Sequence, residues 1–496
     1  MTATDRLRTP LVRNRDGALV EASWDHALAA MCAALKPHAG TDIAALVSPM
    51  TSNEEGMLLA RLLHALGSES LDHRLRKSDA TDHAAPRTFA MPLADIERAN
   101  AIFLVGSDPR REQPLLAHRI RKAALRGARV FVLNAVDFGF NFDLAGRFIV
   151  APHAWGEAIG AIAAGRAPDG CADVDMQGLR DAFSAASNAV VIIGDQAVQH
   201  GEAGLLRTAC EFLASALGAR CNELPQGANA IGLTQVGVRP GRAGRDASRI
   251  VADGARALLL YGCEPEDFAQ PAHLLRALDA AELVIAFAAF ANEELLARAD
   301  IVLPIGLVPE IEATFVNVDG RVQRTVAGGA LPGDSRAGWR VLRALGAQLG
   351  LAGFEFTELA ELRAQMPAPT AAPTFTARNE PDAAATGRNT GGGLSRIANV
   401  PIYRTDAVVR RASALQATAL AAPPVAALHP DDASALGLED GVRVSVAQGE
   451  ARCELLLKLD ARVARGAAWI PSGFRETAVL DGSGSRVVVG RTDGGA

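Results

Sequence analysis

The chain's 496 residues, 49% of them hydrophobic and 21% charged, are enough for about three or four packed cores of ordinary size. Fifty basic against 56 acidic residues leave a formal charge of −6, a balance that argues against a nucleic-acid or anionic-membrane partner. Low aromatic content and abundant alanine favour helices packed closely on sheets through small side chains, which points to the α/β class.

At the N-terminus Asp5, Arg6, Arg8 and Arg13 precede any apolar core, so no secretory leader is expected and the default location is the cytoplasm or the cytoplasmic face of a membrane complex. Ile43 to Val47 reads as a short apolar strand. Ser52-Asn53-Glu54-Glu55 then supplies an N-cap and first-turn carboxylates, and Met57 to Leu66 reads as a helix stopped by Gly67. Ile102 to Val105, a Gly-Ser-Asp-Pro turn, a helix from about Pro114 to Leu125, Gly127 and a strand at Val130 to Leu133 make a complete βαβ unit. The pattern repeats in Ala189 to Ile193 with Gly194-Asp195, a helix through about Leu205 to Leu217, and Leu258 to Tyr261 ending at Gly262-Cys263-Glu264-Pro265. Leu283 to Phe287 and Ile301 to Leu303 are further strands, the second ended by Pro304. The longest apolar stretch, Leu283 to Ala291, has nine residues. A bilayer crossing needs roughly 20, so no membrane span is expected. After about Ala364, Pro367, Pro369, Pro373, Pro381 and the glycine-rich stretch from Gly387 to Gly393 read as a linker. Val442 to Val446, Cys453 to Leu457 and Ala468 to Ile470, bounded by Asp440-Gly441, Gly449 and Pro471, predict a small β-rich domain before a polar tail from Thr492.

Six cysteines, Cys32, Cys171, Cys210, Cys221, Cys263 and Cys453, lie far apart, and the closest pair, Cys210 and Cys221, has ten residues between its members. No C-x-x-C occurs. Iron–sulfur and zinc sites need closely spaced thiolates because one loop must present several ligands to one small core, so these cysteines predict neither. They read as small buried apolar residues.

Several motifs together resemble one family along nearly the whole chain. Arg6-Leu7-Arg8-Thr9-Pro10-Leu11-Val12-Arg13 with Gly17 and Ser23-Trp24-Asp25 is similar to the N-terminal segment of molybdopterin oxidoreductases. Leu71 to Asp79 and Tyr403-Arg404-Thr405-Asp406 with Arg410-Arg411 resemble the C-terminal portion of that subunit of bacterial NADH:quinone oxidoreductase, respiratory complex I, whose large domain is itself of the molybdopterin oxidoreductase type. Val105-Gly106-Ser107-Asp108-Pro109 with Gln113-Pro114, and Tyr261-Gly262-Cys263-Glu264-Pro265, resemble the nucleotide-side turns of the two halves. The strongest signal is Ala299 to Pro304, Glu310 and Ala313-Thr314-Phe315-Val316-Asn317-Val318-Asp319-Gly320-Arg321-Val322-Gln323, where unrelated residue types recur in fixed order. The resemblance implies two doubly wound parallel-sheet units of the molybdopterin oxidoreductase type and a small C-terminal β-rich domain, expected as a short or incomplete barrel. The expected division is an N-terminal segment over 1–40, a first α/β unit over 41–150 and 281–350, a second over 151–280, a linker over 351–400 and the β-rich domain over 401–496.

The departures from the family count equally. Complex I relatives carry a cysteine-rich iron–sulfur region ahead of the part matched here, as a truncated portion or a separate chain would leave it. Active molybdopterin enzymes tend to have an Asp-Pro-Arg type segment after the third strand, where this chain reads Asn134-Ala135-Val136-Asp137-Phe138-Gly139-Phe140. Residual cofactor-side candidates are Gly106, Ser107, Asp108, Gly262, Glu264 and Ser78; the other reading is a pair of tight turns needing positive φ at glycine, with Ser78 beside Asp79 as a cap or turn. His73 and His83 flank Ser78 with Asp72, Asp79 and Asp82 nearby, but no helix spacing orders them as metal ligands. The expectation is therefore a structural and docking domain of the NADH:quinone oxidoreductase peripheral arm, without catalytic residues, metal or molybdopterin of its own and without affinity for guanine nucleotides. Its partners would be other subunits of that arm, and it would count as an oxidoreductase by membership only. The alternative is an active molybdopterin-dependent subunit receiving electrons from a separate iron–sulfur partner.

Overall fold

The computed structural model describes residues 3–368 and 392–492, and among them two compact units: 3–76, 226–368 and 406–411 in one, 77–225, 392–405 and 412–492 in the other. Pro369, Pro373, Pro381 and Gly387 of the expected linker lie outside the described residues. β1 (Leu11–Arg13) and β2 (Leu19–Glu21) form a hairpin through Gly17, whose φ of +82° suits only glycine. β3 (Ile43–Val47) is buried at all five positions, as befits a parallel strand covered on both faces. The helix Asn53–Ala65 returns the chain to β4 (Leu71–Asp72); Ser52 and Glu55 close a capping box at its start, and Gly67 follows its end at φ +78°.

The chain then leaves this sheet. β5 (Ala101–Val105), β6 (Arg129–Asn134), β7 (Gly146–Ile149), β8 (Ala189–Ile193) and β9 (Arg220–Glu223) form an all-parallel sheet ordered β7-β6-β5-β8-β9. β10 (Ala257–Tyr261), β11 (Leu283–Ala288) and β12 (Ile301–Pro304) rejoin β3 in a seven-stranded sheet ordered β2-β1-β12-β11-β10-β3-β4, with Ala45 opposite Leu259 and Leu259 opposite Ile285. β13 (Ala313–Val316) and β14 (Val322–Thr325) make a separate hairpin. Alternate residues of the large sheet feed opposite cores: Ile43, Ala45, Leu259, Ile285 and Leu303 one, Ala44, Leu46, Leu258, Leu260 and Val302 the other.

Two doubly wound sheets are thus present, but the expected division of residues between them is corrected. β5 and β6, assigned with 41–150 to the first unit, pair with β8 and β9; β10, assigned with 151–280 to the second, pairs with β3. The 1–40 segment is no separate region, because β1 extends the large sheet antiparallel to β12. Nor does a linker begin at 351: Phe354, Phe356, Leu359 and Leu362 are buried in the first core, each worth about 1.5–3 kcal/mol of burial. The cause is common to all three, since unbroken apolar runs announce strands and cores without naming their neighbours.

β15 (Leu394–Ile397), β16 (Val425–Leu428), β17 (Arg443–Gln448), β18 (Ala451–Leu459), β19 (Ala467–Trp469) and β20 (Arg486–Arg491) close a barrel ordered β15-β19-β16-β18-β17-β20. An incomplete barrel was expected from 401 onward; β15 lies before that boundary and supplies the wall between β19 and β20. Val444, Val446, Leu455, Leu457, Val487 and Val489 fill its core while Leu456 and Val488 face out, the period-two alternation of strands.

Candidate functional site

In an open α/β sheet, ligands bind beyond the carboxyl ends of the strands where the winding direction reverses. The five-stranded sheet reverses between β5 and β8, which places Gly106-Ser107-Asp108 beside Gly194-Asp195. Gly106 has φ +61°, and a Cβ there would lie 2.8 Å from the Trp155 ring and 2.9 Å from the Ala197 nitrogen. Ser107 N–H donates to Asn134 Oδ1 at 2.8 Å, and the Asn134 amide donates back to the Ser107 carbonyl at 3.1 Å. Asn134, which stands where the family's Asp-Pro-Arg segment would begin, therefore holds the turn itself.

One residue not singled out in the sequence completes this turn. Glu112 accepts from the Ser107 hydroxyl at 2.7 Å, from Asp108 N–H at 2.7 Å and, more weakly, from Asp195 N–H at 3.5 Å. These are the donors that a phosphate at the turn would use, and a side chain of the same chain has them. The only hint in the sequence is a single acid in a basic stretch. Burial, and after it the charge of Asp195, push the Glu112 carboxyl up to about 8 from its ordinary 4.5, against the hydrogen bonds it accepts. A folded-state value above the unfolded one means that the native chain holds the proton more tightly. Stability is then greatest below about 4.5, falls as pH rises towards 8, and is level beyond. Glu112→Gln is expected to remove that decline: Tm followed against pH should match wild type near pH 4 and exceed it above 8, and parallel profiles would refute the assignment.

The seven-stranded sheet reverses between β3 and β10, which brings Ser48 to Ser52 beside Gly262-Cys263-Glu264. Gly262 has φ +65° and its N–H donates to the Phe287 carbonyl at 2.8 Å. Glu264 is buried and held by two arginines: Arg410 reaches it at 2.8 Å and Arg411 at 2.7 Å, while Arg410 also binds Asp267 at 2.7 Å. Arg411 additionally pairs with Asp5 and lies over the Phe290 ring, 4.3 Å from its centroid. The carboxylates keep Arg410 protonated despite its burial. Two motifs recognised separately, 146 residues apart, form one ion-pair cluster.

Ser78 is not the cap or turn expected of it. Asp79 makes the local turn, accepting from Thr81 N–H at 2.9 Å and Gly204 N–H at 3.0 Å, while the buried Ser78 Oγ has no hydrogen-bond partner. His200, also missed, accepts Glu202 N–H at Nδ1, which leaves the proton on Nε2, a buried atom without a partner. Burial lowers its pKa to about 4, so it is neutral. The loop backbone at Gly482 and Gly484 lies against both groups: an added Cβ would stand 2.2 Å from Ser78 Oγ and 2.1 Å from His200 Nε2. His73 Nδ1 bonds the Val238 carbonyl at 2.7 Å, Asp72 pairs with Arg74 at 2.9 Å, Asp82 pairs with Arg207 at 2.7 Å, and His83 is exposed. Among the described residues no three His, Cys, Asp or Glu side chains are grouped to hold a metal ion, and no helix is long and apolar enough to cross a membrane. Burial raises the thiols of Cys210 and Cys263, and that of Cys221 to about 12, away from the thiolate that ligates metals.

Residues 6–348 match the family model of molybdopterin oxidoreductase, and 397–493 that of the molydopterin dinucleotide binding domain. The chain is similar to an NADH-quinone oxidoreductase subunit of Mycobacterium bovis, 31% identical over 365 residues that make up 64% of this chain and 43% of the relative. It is also similar to the mitochondrial NADH-ubiquinone oxidoreductase 78 kDa subunit of Neurospora crassa, 29% identical over 382 residues, 73% of this chain and 46% of the relative. The chain therefore spans less than half the length of these relatives. Acetylene hydratase from Pelobacter acetylenicus shares the fold with a TM-score of 0.66 at 16% identity, over 99% of this chain and 93% of that one.

Proposed function

Because this chain belongs to the molybdopterin oxidoreductase family, with relatives named as NADH-quinone oxidoreductase subunits, we propose that it is a structural and docking domain of such an oxidoreductase's peripheral arm and carries no electrons itself. The observation that carries this reading is the Glu112 carboxylate on the Ser107 and Asp108 donors. A pterin dinucleotide whose phosphate sought the same turn would have to displace a buried carboxylate, and at the other turn Glu264 is already held by Arg410 and Arg411. In this reading the residues present do not fit the dinucleotide, and no redox step is assigned to them. Scattered, buried thiols support the further view that no cluster delivers electrons into the chain. Other subunits of the arm would be its partners, at the cytoplasmic face of the membrane, with NADH oxidation and quinone reduction carried out elsewhere in the assembly.

The purified chain should be colourless, contain no stoichiometric molybdenum or tungsten, release no pterin on denaturation and show no NADH:ferricyanide activity. Elemental analysis with visible spectroscopy checks all but the last. Stoichiometric metal together with released pterin would establish the alternative, an active subunit fed by a separate iron–sulfur protein. Co-purification with relatives of complex I subunits tests the assembly itself.

A further inference from the structure

We propose that the outward face of the helix Pro114–Leu125 is a docking surface for an acidic protein segment bearing apolar residues of its own. This helix buries Leu116, Ala117, Ile120 and Ala123, yet leaves Leu115 78% and Leu125 63% exposed. At 3.6 residues per turn, Leu115, His118, Lys122 and Leu125 share an arc of about 80°, and the two leucines stand about 15 Å apart along the axis. Single exposed leucines are ordinary; two on one arc with cations between and beside them form a patterned surface.

The charge around them is one-sided. Residues 109–129 hold seven cations, Arg110, Arg111, Arg119, Arg121, Lys122, Arg126 and Arg129, and one acid, Glu112, in a chain whose formal charge is −6. Glu112 turns inward onto Ser107 and Asp108. One carboxylate, Glu97, serves three of the cations, Arg119 at 3.3 Å, Lys122 at 3.4 Å and Arg126 at 3.1 Å, so the surface keeps a positive excess. A partner with carboxylates at its rim and apolar side chains over Leu115 and Leu125 matches it. Single-stranded nucleic acid would need stacking platforms, and residues 109–129 contain no Phe, Tyr or Trp. A membrane-lying helix would need a broad apolar face, where this one offers two leucines. The docking surface stands apart from the assembly reading above and rests on it only for the identity of the partner.

The test places a photo-crosslinking residue at position 115 or 125 of the full chain in the cells that make it, with position 436 on the barrel as control. Crosslinks are expected from both positions to one protein, at a peptide rich in Asp and Glu with interspersed Leu, Ile or Phe. Charge reversal by Arg121→Glu with Lys122→Glu should cut the yield about tenfold. The exposed substitution Leu115→Asp, read from position 125, should do the same without touching an ion pair, and Tm should stay that of wild type. Yields no higher than at position 436, crosslinks confined to lipid or RNA, or yields indifferent to charge reversal would overturn the proposal. If the partner is one of the NADH-quinone oxidoreductase subunits, both readings hold. If it is another acidic protein, the surface holds and the assembly reading falls. Co-purification with such subunits while positions 115 and 125 crosslink nothing overturns the surface alone.

Discussion

Gly194→Ala is expected to cost about 3 kcal/mol, the upper end of what overpacking does without unfolding. The backbone angle is not the reason, since φ at Gly194 is −89°, open to any residue. The obstacle is the crossing of two strand ends: an added Cβ would lie 2.2 Å from Ser107 Cβ, 2.5 Å from the Gly106 carbonyl oxygen and 2.6 Å from Ser107 Cα. These atoms are backbone or next to it, so no flexible side chain can yield. Moving them would strain the bonds that join β5 to β8 at this point, Gly194 N–H to the Val105 carbonyl at 2.8 Å and Gln196 N–H to the Gly106 carbonyl at 3.0 Å. It would also disturb the donors that hold Glu112. Gly160→Ala serves as the contrast. Gly160 lies within the helix Trp155–Ala163 with nothing within 4 Å of its Cβ position, so alanine there should stabilise by about 0.5–1 kcal/mol. Denaturant titration of both variants, with hydrogen exchange to locate the loss in β5 and β8, checks the pair; a cost below about 1 kcal/mol for Gly194→Ala would show that the crossing has slack.

Strands were legible where both faces are buried, because β3, β5, β8, β10 and β11 are unbroken apolar runs flanked by glycine or polar turns. Their pairing was not. Nothing in Ala101–Val105 says that it will lie beside Ala189–Ile193 rather than beside Ile43–Val47, since all three are equally apolar and register belongs to tertiary packing. The turns at Gly106 and Gly262 were visible as motifs, and their glycines do adopt positive φ. What occupies the turns was hidden, because Glu112 and Arg410 act through contacts that spacing does not encode. Ser78 shows the converse: a serine beside an aspartate reads as a cap, yet the turn belongs to Asp79 and the hydroxyl packs against glycine backbone from the barrel 404 residues later.

Arg410→Ala is expected to cost about 3–5 kcal/mol, the range seen when one partner of a buried ion pair is removed. Arg410 and Glu264 are 6% and 8% exposed at their side chains, and Asp267 is 12% exposed. The truncation would leave two carboxylates within reach of one remaining guanidinium, that of Arg411, which already serves Asp5. Arg410→Lys should recover only part of the loss, because an ammonium cannot present two N–H groups to two acceptors in the fixed fork of a guanidinium. Removing the demand along with the supply is different: Arg410→Met combined with Glu264→Gln and Asp267→Asn should be less destabilised than Arg410→Ala, since no uncompensated charge stays buried. The segment 406–411 is held to its unit chiefly by these pairs, so limited proteolysis around Asp406 should speed up in Arg410→Ala and much less in the triple variant. If Arg410→Ala and the triple variant unfold alike, the arginines act by packing on Phe290 and their neighbours, and the charge of Glu264 is incidental to the turn it closes.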